Sequence, residues 1–168
     1  TNLVTRHPAI TASAAASVDV VSGGRAILGI GSGHSGVTNV GGAPTGAGAL
    51  REGVAFLRTV LSGEPASWRG VTTHLPWVRR RVPVYAAASG PAALRAVGAV
   101  ADGAFVNYGL GPEHVSRARE LIEAGAKEAG HPAADVDVWF IACLDVSARR
   151  ETAYEKLGNI LGFVAAYI

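Results

Sequence analysis

Val82-Pro83-Val84-Tyr85-Ala86-Ala87-Ala88-Ser89-Gly90-Pro91 holds the fold in miniature: an apolar run, a turn, and the start of a helix. Proline is tolerated at the first residues of a strand and not in its middle, so Pro83 marks where the strand begins. Ser89-Gly90-Pro91 ends that strand and opens a helix through about Val100, with Ser89 or Gly90 as its cap and Pro91 in the first turn, where a missing N–H costs nothing. A short run without polar alternation is the pattern of a strand covered on both faces.

The same unit recurs in both directions. Upstream, Arg25-Ala26-Ile27-Leu28-Gly29-Ile30 reads as a strand running into glycine, followed after the Gly-, Thr- and Pro-rich loop 31–48 by Leu50, Val54, Leu57 and Leu61 at helical spacing, with Gly63 closing the helix. Before it, Pro8 opens an Ala-rich helix that Ser22-Gly23-Gly24 ends. Downstream, Gly103–Asn107 reads as a third strand leading to a helix from Pro112 to Gly130, and Val136–Val146 as a fourth before a helix from about Arg149. Residues 64–81 show no period and read as an excursion whose Trp68 and Trp77 form a small satellite core. The order α-β-α-β-α-β-α-β-α, with no hairpin signal between strands, requires a parallel α/β sheet. Pattern alone leaves doubly wound sheets and (β/α) barrels open.

Composition supports one folded domain spanning residues 1–168, since 49% of the residues are hydrophobic and 17% charged. A net charge of +2 is too small to build the field that nucleic-acid binding needs, and Arg79-Arg80-Arg81 reads as a solvated loop. No membrane span and no secretory leader are visible, so the expected compartment is the cytoplasm. Cys143 lies in the apolar run 138–146 and reads as a small core residue. His7, beside Pro8, reads as structural, and His74, His114 and His131 show no ligand spacing, so no metal is expected. The chain contains no Met, and a processed or truncated start is the expectation.

Four segments in order, T-N-L-V-T-R-H-P-A-I-T-A at Thr1–Ala12, S-G-G-R-A-I-L-G-I-G-S-G at Ser22–Gly33, V-P-V-Y-A-A-A-S-G-P at Val82–Pro91 and A-D-G-A-F-V-N at Ala101–Asn107, together resemble the luciferase-like monooxygenase superfamily, in particular its deazaflavin-dependent branch. The resemblance implies a (β/α)8 barrel in which the four strands here correspond to barrel strands four to seven, with sites at their carboxyl ends. Four parallel strands cannot close a barrel, so the chain is expected to be a partial TIM barrel: a fragment of a longer enzyme, or a half that needs a partner, whether a second copy or the remainder of the barrel.

The site candidates all lie at strand ends. Glycines in Gly29–Gly36 let backbone approach a ring or phosphate closely, and the resemblance places the cofactor ring beside Ser32 and Gly33. His34 is the candidate catalytic residue, a proton donor or acceptor where the resemblance implies an acidic side chain facing the substrate. Ala88-Ser89-Gly90 forms the second candidate: free N–H groups at a helix start favour an anion, and the resemblance implies the cofactor phosphate there. Asn107 ends the third strand where the resemblance implies a polar residue near the cofactor tail, and Arg51 matches a phosphate-contacting arginine of the bacterial luciferases. Residues 31–36 also fit G-x-G-x-x-G, but residues 36–48 hold five glycines and a proline where that pattern needs a helix, which argues against a dinucleotide fold.

These readings lead to an oxidoreductase that uses a reduced deazaflavin coenzyme of the F420 type, or flavin mononucleotide (FMN), to pass hydride to a small organic molecule. The alternatives are an FMN-dependent monooxygenase that activates O2, and a non-catalytic barrel remnant that binds an anion or a partner chain.

Overall fold

The computed structural model describes residues 1–165. In chain order the elements are α1 (Pro8–Val21), β1 (Leu28–Ile30), α2 (His34–Thr38), α3 (Ala47–Val60), β2 (Ala66–Trp68), β3 (Val71–Thr73), β4 (Val84–Ala88), α4 (Pro91–Val100), β5 (Gly103–Val106), α5 (Pro112–Glu128), a 3-10 turn (Ala133–Asp135), β6 (Asp137–Phe140) and α6 (Arg150–Ala165). One four-stranded sheet has the order β1-β4-β5-β6, every pair parallel. The first residues extend it, since Asn2 bridges Gly31 in parallel beyond β1.

Two features choose between the sheet types that pattern leaves open. The strands follow one another in sequence order with no reversal, and the helix-covered core lies on one face only. Leu28, Ile30, Val84, Ala86, Ala88, Ala104 and Val106 are buried with Leu50, Val54, Leu57, Leu94, Val97 and Ile122 of the helices. The alternate residues Ala87 and Trp139 of the other face are exposed. A doubly wound sheet is covered on both faces, whereas a barrel wall carries helices only outside. Each fully buried aliphatic side chain contributes about 1.5–3 kcal/mol, so this layer holds the sheet.

The helix contacts are close where the sequence is small. Gly98 of α4 and Gly125 of α5 face each other's helix, and a β-carbon at either position would overlap the backbone of Ile122 or Arg95. At the amino ends of the strands, Asp102 accepts from the Val84 amide at 2.8 Å, pairs with Arg58 of α3 at 2.8 Å, and pairs with Arg81. That carboxylate ties α3, β4 and β5 together on the side away from the strand ends.

Several expectations are corrected. Residues 64–81 contain a hairpin, β2–β3, in which Trp68 pairs with Val71. Its Trp68 belongs to the main core and packs on Phe56 with ring centroids 5.7 Å apart, while Trp77 is 39% exposed. The fourth strand stops at Phe140 instead of Val146, and Cys143 is exposed rather than buried. Leu144 and Val146 are also exposed, so apolar content there reflects no core. The loop 31–48 contains the short helix α2, and Ser89 does not cap α4; Gly90 is its N-cap, with no side-chain bond.

Candidate functional site

Because the strands of the sheet are parallel, their carboxyl ends share one edge, where Gly31, Ser89, Asn107 and Ile141 follow β1, β4, β5 and β6. The sequence candidates therefore converge on one side of the molecule. The Asn107 amide donates to the Ala88 carbonyl at 3.0 Å and the Ile141 amide to that of Val106 at 2.9 Å, so neighbouring ends are held in register past the last ladder pairs.

The loop after β1 is shaped by a residue that sequence reading overlooked. Asn2 is buried, and its Oδ1 accepts from the amides of Val4 and Thr5, each at 2.9 Å, and from the Thr5 hydroxyl at 3.1 Å. The Thr1 backbone nitrogen donates to the Gly29 carbonyl at 2.8 Å, and the Gly31 amide donates to the Thr1 carbonyl at 3.0 Å. Gly33 packs onto this corner with φ +84°, and a β-carbon there would lie 2.6 Å from Asn2 Cβ. Only glycine satisfies both the left-handed backbone and that approach. The carbonyl of Ser32 accepts from the Thr45 amide at 2.9 Å, which folds the loop back, and His34 is presented on the exposed first turn of α2. Gly36 lies inside that five-residue helix, not at the start of a long one, so the dinucleotide pattern has no structural counterpart.

At the second candidate, Ala88 points its methyl into the helix layer and presents backbone alone at the strand end. Ser89 is exposed. Gly90 has φ −150° and nothing within 4 Å of where a β-carbon would stand, so the start of α4 is open, and no side chain caps it. Asn107 is half-buried, and Arg51 is exposed near the start of α3.

The open face of the sheet carries a cluster that the apolar reading of residues 136–146 concealed. Tyr85 Oη donates to Asp137 Oδ2 at 2.7 Å, and Trp139 Nε1 donates to the same oxygen at 2.6 Å. The phenol's bond to that carboxylate, with burial and the carboxylate's charge, pushes Tyr85 up to about 12; the same bond, joined by that from Trp139, lowers Asp137 below the usual carboxylate value. The one acidic residue in an otherwise apolar strand, Asp137 with Trp139 two positions on and so on the same face, was the available signal. Among the other histidines, His7 Nδ1 accepts from the Ala9 amide at 3.2 Å as the cap of α1, while His131 bonds the carbonyls of Pro132 and Ala99. Among the described residues no three His, Cys, Asp or Glu side chains gather as a metal site would require, and no helix is long and apolar enough to cross a membrane.

The family model described as luciferase-like monooxygenase matches residues 1–168. The chain belongs to that family. This luciferase-like chain is 34% identical over 188 residues to the 5,10-methylenetetrahydromethanopterin reductase of Methanopyrus kandleri, covering 98% of its own length and 54% of the relative's. It is 28% identical over 162 residues to the F420-dependent glucose-6-phosphate dehydrogenase of Microbacterium testaceum, covering 89% of itself and 48% of that enzyme. The solved structure of the coenzyme F420-dependent tetrahydromethanopterin reductase from Methanopyrus kandleri superposes with a TM-score of 0.77 at 32% identity, over 98% of this chain and 54% of that one. The luciferase-like chain thus spans about half the length of the relatives it matches, and its fold is a partial (β/α)8 barrel.

Proposed function

We propose that this protein is a deazaflavin-dependent oxidoreductase that binds a reduced coenzyme of the F420 type at the strand ends and reduces a small organic molecule by hydride transfer. The observation that carries this reading is the open, uncapped start of α4 at Gly90, on the same edge as the Gly31–Gly33 turn, in a chain whose relatives include enzymes named as F420-dependent.

The residues present fit such a group. At Gly90 the space that a side chain would take is empty, and the unpaired N–H groups of the next turn favour a phosphate. Ser89 adds a hydroxyl there, and Asn107 an amide on the adjoining strand. Gly31, beside Ala87, keeps the end of β1 flat enough for a ring to approach, while Gly33 makes the left-handed turn that packs on Asn2. When bound, the reduced deazaflavin supplies the hydride and its oxidised form remains. In this reading His34 supplies the proton that balances the hydride on the reduced substrate. The substrate is a small molecule, the compartment the cytoplasm, and the open strand edges of the sheet belong against a second copy or further barrel strands, the whole working as one domain.

Equilibrium titration of the protein with F420 and, in parallel, with FMN tests the reading. Tight binding of F420 with weak binding of FMN supports it. Preference for FMN makes the O2-activating monooxygenase the better reading, and binding of neither leaves the non-catalytic remnant.

A further inference from the structure

The open face of the sheet is built in two rows. In the deeper row Gly29, Tyr85, Gly103 and Asp137 are successive register partners, and in the row nearer the strand ends Ala87, Phe105 and Trp139 are, with Gly31 beside Ala87. A packed barrel interior is dominated by branched aliphatic side chains. None occurs among these positions.

The deeper row is closed. The Tyr85 ring lies across Gly103, where a β-carbon would come within 2.5 Å of it, and reaches Asp137 two strands away. Phe105 lies over Gly29 and against Tyr85, with ring centroids 5.3 Å apart. The upper row is instead flat at Gly31 and Ala87 and ends at Trp139, which is 59% exposed. Three strand spacings separate β1 from β6, roughly 14 Å, and Phe105, between Ala87 and Trp139 in the register, leans down over Gly29, so that a fused-ring system would lie above it along Gly31 and Ala87. The indole is not free to turn, because Asp137, two residues earlier on the same face, holds its N–H at 2.6 Å. A large aromatic whose polar atom is already satisfied presents its π-face to whatever enters the slot.

We infer that Trp139 is the aromatic wall against which the flat, conjugated ring of the flavin-type cofactor stacks, and that Asp137 is the positioning residue that fixes the indole's orientation. The inference rests on the cofactor reading above and assigns that ring a place over the upper row, between the Gly31 turn and β6. Tyr85 takes part only as the floor, sharing the Asp137 oxygen from below.

The test is a set of affinities for F420 and FMN, read from the change in the ring's visible absorbance, for the wild-type protein and for W139A, W139F, D137A, D137N and D137A/W139A. Alanine substitution of a stacking aromatic is expected to weaken ring binding by about tenfold or more. W139F, which keeps a π-face, retains most of the affinity. D137A loses several-fold and D137N, which still offers an oxygen to the indole, recovers it. The double variant binds no more weakly than W139A, because the carboxylate acts through the indole. Urea midpoints of W139A and W139F stay near wild type, since the side chain is exposed. If W139A does not fold, W139L replaces it and the same comparison decides. Wild-type binding that W139A retains in full overturns this inference and leaves the cofactor reading standing, and additive losses in the double variant overturn the role of Asp137. Failure of the wild-type protein to bind either ring overturns the cofactor reading and this inference with it.

Discussion

Replacing Gly103 with alanine adds a single methyl group, yet it should unseat the floor of the open face. The new carbon would stand 2.5 Å from the Tyr85 ring, well inside contact distance, and that ring is wedged between Phe105 and β6. Gly103 has no left-handed backbone, so alanine is conformationally acceptable and the whole cost falls on the ring. Overpacking of this kind typically costs about 1–3 kcal/mol. The displaced phenol also leaves Asp137, and a hydrogen bond to a charged group is worth about 1.5–3 kcal/mol, here at the low end because Asp137 is exposed to solvent. The sum is about 3 kcal/mol, equivalent to a fall in Tm of roughly 6–12 °C for a chain of this size. Urea denaturation followed by circular dichroism measures it, in wild type, G103A, Y85A and G103A/Y85A. With the ring gone, the added methyl meets nothing, so G103A in the Y85A background should cost less than about 0.5 kcal/mol. A G103A midpoint indistinguishable from wild type, or an equal penalty in both backgrounds, would refute the wedge.

Gly90→Val should cost about 1 kcal/mol of stability, because φ −150° suits a β-branched residue and the site is open but valine is a poorer N-cap than glycine, and should weaken F420 at least tenfold by filling the start of α4; urea midpoints and a cofactor titration check the two halves. His34→Ala should leave cofactor affinity unchanged and lower turnover by roughly 10²-fold or more in a steady-state assay of an active preparation, and unchanged turnover would end its proton role. Tyr85, raised to about 12 when folded, binds its proton more tightly than in the unfolded chain; its contribution is fully present below pH 10 and lost as pH rises through about 12. Asp137, lowered, contributes above its usual value and loses this as pH falls through the folded one, so the stability gap between wild type and Y85F should narrow at both extremes of a pH series of urea melts.

Where burial follows periodicity, the sequence was readable. Leu50, Val54, Leu57 and Leu61 are all buried, as their spacing required, and the prolines at positions 8, 91 and 112 each open a helix. The β2–β3 hairpin was not readable: each strand has three residues, and its turn uses Arg69-Gly70 in place of the Asn-Gly that signals such a turn. Residues 141–146 misled because apolar content counts equally whether or not anything packs on it. At the site, Ser32, Gly33, His34, Ser89, Gly90 and Asn107 were placed on one edge by topology alone, since parallel strands share a direction. Asn2 escaped because its partner Gly33 lies thirty-one positions away, and such contacts have no local period. The Tyr85–Asp137–Trp139 cluster escaped for the same reason: its members sit on β4 and β6, and only the register across Gly103 brings them together.

The close meeting of α4 and α5 at Gly98 and Gly125 turns two helices into one stiff bracket. Each begins at the strand-end edge, one just after Gly90 and the other just after Gly111, so the bracket acts as a gauge block that keeps the turn at 89–90 and the loop at 107–111 a set distance apart. For an engineer this separates ruler from toolhead. The turn at 89–90 and the segment at 107–111 can be altered or exchanged to suit a different ligand while the spacing of their anchors stays constant, provided those two glycines are left alone.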